Sequence, residues 1–234
     1  MKIRKIKNKI KHLAKDFNLK YNSKWFDYMW ISKRDEIILQ YIGNCHDNVY
    51  EKYGNYPGGR IKNIAKFFNK DLKGLSKRYG GEAYSVKSLK YQKRIIQNIR
   101  NNKIKNEIEK LLKKIEKRII TNKIALLTKT TRKKELHNMQ SVLIHEWIHI
   151  LLAKNKIDFN LKNYNWKYNE GLVTYLTWIL EDKTYRLEDG FKNFKSTFEK
   201  HYYSKAIEFR KLLKNKKTPK ERKQTIMKFY NSLK

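Results

Sequence analysis

A mostly helical α+β fold is predicted for this chain of 234 residues, on three observations. Apolar residues recur at three and four along most of the sequence, the period of helices with one buried face. Only a few short runs have the length and composition of strands. A content of 40% hydrophobic and 13% aromatic residues is enough to build a core although 33% of the chain is charged. The length suits one compact domain, or a core with helical extensions. Composition divides it into a basic helical and aromatic region with a Gly-rich loop (1–90), a core (91–190) and C-terminal helices packing on that core (191–234).

Each element has its own warrant. Ile6, Ile10, Leu13 and Phe17 sit at helical spacing, so the first forty-odd residues read as basic helix. Residues 25–30, WFDYMW, form an aromatic cluster suited to a core or an interface. Residues 36–42 fit helix or strand. Gly54, Pro57, Gly58 and Gly59 make residues 44–60 a loop, without the spacing of a phosphate-binding loop. Gly80 and Gly81 mark a turn before a short strand at 83–86. Ile104, Ile108, Leu111, Ile115 and Ile119 give residues 91–120 a long amphipathic helix, and the lack of a sustained heptad makes it a packing helix. The apolar run 124–128 has strand length. Helices follow at 134–154 and at 166–181, the second with Asn163 or Asn165 as N-cap. Past Gly190, Phe191, Phe194, Phe198, Tyr202, Phe209 and Leu213 stripe another helix. Thr218 then caps a last helix that opens on Pro219. No internal repeat is present.

Charge is a prominent feature. The net charge of +34 predicts nonspecific attraction to nucleic acid or other polyanions. Lysines outnumber arginines 45 to 11 and are spread along the whole chain, without the clustered arginines that read bases. No apolar run approaches a membrane span, and the N-terminal residues lack the apolar core of a signal peptide. The single cysteine, Cys45, excludes an internal disulfide framework and suits a reducing cytoplasm. Cys45-His46 reads as an ordinary buried pair rather than a metal pair or an inhibitory thiol.

Chemistry concentrates in His145-Glu146-Trp147-Ile148-His149. Two histidines four apart on a helix project from one face, so both imidazoles reach a single zinc ion. Glu146 then lies beside the metal, where a carboxylate takes a proton from an activated water. Leu143, Trp147, Ile150 and Leu151 form a buried stripe on the same helix, and polar side chains so placed are costly unless paired. Glu170, in Asn169-Glu170-Gly171, is the favoured third ligand. His201 and Asp158 are alternatives, while Asn155 at the sixth position after His149 excludes the metzincin pattern. Near the start of a helix Glu170 also suits the macrodipole. Gly171 is a poor helix former whose missing side chain permits close approach to the active-site helix.

His-Glu-x-x-His followed about twenty residues later by Asn-Glu-Gly resembles the gluzincin metallopeptidases, over roughly residues 104–180. The resemblance implies a zincin-like core: a small sheet, a backing helix, an active-site helix and a glutamate helix. It implies His145, His149 and Glu170 as ligands of one Zn²⁺ and Glu146 as general base. It also makes the strand at 124–128 the sheet edge that pairs with extended substrate, a role compatible with that of a simple buried strand. Many gluzincins carry an acid four residues after the ligand glutamate; here Thr174 stands there, able to hydrogen-bond an imidazole but uncharged. The aminopeptidase G-x-M-E-N segment is missing, which favours an endopeptidase. The implied activity is hydrolysis of peptide or unfolded protein. His201, Tyr202 and Tyr175, then Tyr203 and Tyr168, are the candidates to stabilise the developing oxyanion, against ordinary packing roles for each. The alternative is a polyanion-binding or interaction protein with a structural or vestigial zinc site. An intact Glu146 argues against it, since a structural site needs no base and closes its shell with a fourth His or Cys.

Overall fold

The computed structural model describes residues 3–32, 35, 38–39, 81–85, 89–90, 92–93, 96–97, 102–119, 123–128, 133–157, 166–181 and 197–233. Helix dominates, and a small sheet accompanies it. By packing, the chain falls into two units, Met1–Phe26 with Leu136–Lys234, and Asp27–Glu135. These boundaries lie elsewhere than the compositional ones at 90 and 190. The glycine-rich loop, residues 44–60, and Cys45-His46 lie outside the described residues, as do Asn163, Asn165 and Asp158.

The Asp27–Glu135 unit holds β1 (Tyr28–Ile31), β2 (Gly81–Ser85), α2 (Asn102–Arg118) and β3 (Lys123–Thr128). The sheet order is β1-β3-β2. β1 runs parallel to β3, with Tyr28 opposite Ala125, and β2 runs antiparallel to it, with Gly81 opposite Leu127. Thus β3 is the central strand. Its two edges are both paired, which overturns its expected role as a free edge for substrate. Burial on both faces explains the continuous apolar run, since Ala125, Leu126 and Leu127 are all inaccessible. β1 was read only as an aromatic cluster. Its residues alternate, with Met29 and Ile31 buried while Tyr28 and Trp30 meet edge to face. On α2, Ile108, Leu111, Leu112 and Ile115 are buried. At its end the Arg118 guanidinium pairs with Asp27 at 3.2 Å and donates to the Tyr28 carbonyl at 3.3 Å.

The other unit is helical. α1 (Ile3–Asp16) buries Ile6, Ile10, Leu13 and Ala14. The basic helix stops there rather than continuing to residue forty. Asn18 adopts φ 51°, and Leu19 N–H donates to the Ala14 carbonyl at 2.7 Å while Asn18 N–H donates to Lys15 at 3.1 Å. That is a Schellman cap, and asparagine tolerates the left-handed position it needs. A 3-10 turn, Ser23–Trp25, leads to Phe26, whose ring packs 5.6 Å from Trp147.

α3 (Lys133–Lys154) is buried nearly all round beyond its midpoint. Ile144 and Ile148 are inaccessible along with the expected Leu143, Trp147, Ile150 and Leu151. α4 (Trp166–Glu181) packs on α1 and, closely, on α5 (Thr197–Leu213). Phe191 and Phe194, expected on that helix, lie outside the described residues. α6 (Pro219–Ser232) packs on α5 and opens as expected: Thr218 Oγ1 accepts from Glu221 N–H, and the Glu221 carboxylate accepts from Thr218 N–H. Among the described residues no helix is long and apolar enough to cross a membrane.

Candidate metal centre

α3 and α4 place three donor groups face to face. Positions 141, 145 and 149 of α3 share one side of that helix, and positions 170 and 181 of α4 meet it. His145 Nε2 lies 3.1 Å from Glu170 Oε2, His149 Nε2 lies 3.2 Å from Glu170 Oε1, and the two Nε2 atoms are 3.3 Å apart. Ser141 Oγ donates to Glu181 Oε2 at 2.7 Å and pins the opposite ends of the helices. The imidazoles meet edge to face with centroids 4.9 Å apart.

These three side chains are able to hold a metal ion. Bonds of about 2.0–2.1 Å to a tetrahedral ion put neighbouring donors about 3.3 Å apart. The two Nε2 atoms stand at that spacing, and each has a different oxygen of Glu170 beside it, so the three groups are near enough to share one ion. The donor chemistry fits as well, two imidazole nitrogens and a carboxylate being a set that suits zinc. Buried imidazoles and a carboxylate in mutual contact must be paired, with shared protons or with a cation. Burial opposes protonation of His145, but the hydrogen bond and charge of Glu170, with the charges of Glu146 and Glu181, raise its pKa above the ordinary imidazole value. Burial likewise pushes the Glu170 carboxyl up, yet the two imidazoles outweigh it and hold the group well below the usual carboxylate range.

Glu146 follows the first histidine and is itself buried, at 8% exposure. The His145 side chain is 24% exposed, that of Glu170 25% and that of His149 10%, so the group is mostly buried and only in part reached by solvent. Among the described residues no fourth His, Cys, Asp or Glu joins it.

Asn169 is the contributor that the motif spacing did not assign. Its side-chain nitrogen lies 3.5 Å from His149 Nδ1. Were the amide turned over, its oxygen would accept from Nδ1–H, the tautomer that leaves Nε2 free to ligate. Thr174, expected in this supporting place, is buried, and the contact to a histidine's far nitrogen comes instead from Asn169. The signal was present in Asn-Glu-Gly, but nothing local distinguishes a supporting asparagine from a solvated one.

The tyrosines lie in other surroundings. Tyr175 and Tyr203 pack against Trp178 and Ala206 in the seam between α4 and α5. Burial raises the Tyr175 pKa against the opposing charges of Arg222 and Arg210. Tyr168 lies under the Lys205 ammonium, 4.4 Å from its ring centre, and meets Phe229 edge to face. His201 and Tyr202 fall on α5, but their side chains lie outside the described residues. Gly171 admits a helix, though not the expected one. A Cβ there would overlap Lys205 Cβ and come within 2.9 Å of the Lys205 carbonyl carbon, so the close neighbour is α5 rather than α3.

Comparison with protein-family models, curated proteins and solved structures finds no match to this chain.

Proposed function

We propose that the chain is a zinc-dependent peptidase of the gluzincin type, acting within peptide or unfolded protein substrates. The observation that carries this reading is the convergence of His145, His149 and Glu170 at 3.1–3.3 Å, with the buried Glu146 next in sequence to the first of them. The zincin-like core is part of the same proposal, supported by the antiparallel meeting of an active-site helix with a glutamate helix. Endopeptidase action is supported by the missing G-x-M-E-N segment.

In this reading His145 and His149 bind through Nε2 and Glu170 through its carboxylate. A zinc ion held there supplies Lewis acidity, which polarises a carbonyl and acidifies water. Glu146 takes the proton of the attacking water and delivers it to the leaving amine, so one carboxylate serves as base and then as acid. Asn169 holds the His149 ring in the ligating tautomer.

The test pairs metal analysis with a Glu146→Gln variant assayed on an unstructured protein such as casein. Wild type is expected to bind one zinc per chain and cleave the substrate. Glu146→Gln is expected to keep the zinc and lose about 10²–10⁴-fold in rate. Stoichiometric zinc in a wild-type protein that cleaves nothing would sink the proposal, and so would equal rates in the two proteins.

A further inference from the structure

The basic residues behind the net charge of +34 are not set alike in α1 and α2. In α2 the lysines alternate with Glu107, Glu109 and Glu116; Lys93 pairs with Glu116 at 2.8 Å and Arg118 with Asp27 at 3.2 Å. In α1 six basic residues share the helix with one acid, Asp16, at its end. Its apolar face is covered, and Arg4, Lys5, Lys11, His12 and Lys15 are all exposed. From Leu213 to Lys223 the chain carries six basic residues against Glu221 alone. That carboxylate is engaged by the Thr218 backbone at 2.8 Å and the Thr218 hydroxyl at 3.0 Å.

Arg222 joins these two basic stretches. Its guanidinium lies over Phe17 and donates to three carbonyls: Asp16 at 3.2 Å, Lys216 at 3.0 Å and Lys217 at 3.5 Å. The end of α1 and the turn before α6 are therefore held within one guanidinium's span. Lys15, next to Asp16, with Lys11 one turn before it, lies at the α1 end of this junction, and Lys216 and Lys217 at the other, with Lys220 opening α6.

We infer that the exposed face of α1 and the basic turn between α5 and α6 form one cationic surface that binds the phosphodiester backbone of a nucleic acid without reading its bases. Lysine ammonium groups are point charges, which suit phosphate contacts that need no fixed direction. Base reading calls for arginine forks, and Arg222 is already committed to backbone carbonyls. A membrane surface is disfavoured because α1 has nothing to insert: Ile6 and Ile10 are at most 1% exposed, and polybasic contact alone gives weak anchoring. A linear polyanion needs only the row of charges, and each phosphate neutralised releases counterions.

The experiment measures anisotropy of a short fluorescein-labelled DNA duplex with the full chain over a salt series. Three proteins are compared: wild type, a patch variant (Lys11→Gln, Lys15→Gln, Lys217→Gln, Lys220→Gln) and a control with four α2 lysines changed (Lys110→Gln, Lys113→Gln, Lys114→Gln, Lys117→Gln). At about 0.9 per phosphate contact, the slope of log affinity against log salt should fall by about 3 to 4 in the patch variant and by less than about 1 in the control. Equal losses in both would overturn the inference, because the charge would then act diffusely. Tighter binding to phosphatidylserine vesicles than to DNA through the same four lysines would overturn it too. Should the patch variant fail to fold, Lys217→Glu alone is expected to weaken DNA binding severalfold at low salt; unchanged affinity would count against the surface.

Discussion

In the proposed centre Asn169 would tune the group without belonging to it. A ligating imidazole needs its far nitrogen protonated and held, and the supporting hydrogen bond fixes both tautomer and ring orientation. Asn169→Ala is expected to lower metal affinity about 10–100-fold, read by competition with a chromogenic chelator. Asn169→Asp is expected to recover it, since a carboxylate also accepts from Nδ1–H. Unchanged affinity in the alanine variant would show that the amide supports nothing. His145, Glu146, His149 and Glu170 were visible in the sequence because few other tasks place those side-chain types at that spacing. Asn169 and Thr174 were less legible. Which neighbour of a ligand meets the ring depends on how far α4 is rotated against α3, and spacing along one helix does not encode that.

α4 works as a two-faced element. Glu170 and Glu181 meet α3, while Gly171, Tyr175 and Trp178, at positions three and four apart, line the seam with α5. Gly171→Ala sets two effects against each other. Helix propensity favours alanine by about 1 kcal/mol. Overlap with the Lys205 backbone and Cβ costs about 1–3 kcal/mol, and no flexible chain end is available to yield. The net expectation is a lower denaturation midpoint and weakened metal binding, because Glu170 is the adjacent residue. A more stable variant would mean that the helices stand further apart. At this scale the sequence was informative wherever a pattern is local: the 166–181 helix has the expected ends, and Thr218 and Pro219 announce α6. It was uninformative about β3. Strand order is a long-range property, and a buried apolar run looks the same whether it lies at an edge or in the middle.

For the whole molecule, the metal would act as a staple between α3 and α4, since its ligands come from both. Anything that binds only the folded state adds stability by mass action, about 4 kcal/mol at a thousandfold excess over Kd. Removing it with a chelator is therefore expected to lower the calorimetric Tm by on the order of 10 °C. Re-addition of zinc should restore the midpoint, and no shift on chelation would mean that the ion does not couple the helices. The mostly helical class was readable from composition and period. The division into units was not, because it depends on α1 packing with helices more than a hundred residues later rather than with its neighbours in sequence.

The detached position of α1 has a consequence for synthesis. Its apolar stripe is made before α4, which covers it and is encoded beyond all of Asp27–Glu135. At about 5–20 residues per second that delay is on the order of ten seconds. During it the nascent α1 carries Ile6, Ile10 and Leu13 without α4, a window in which chaperones and aggregation compete for the same surface.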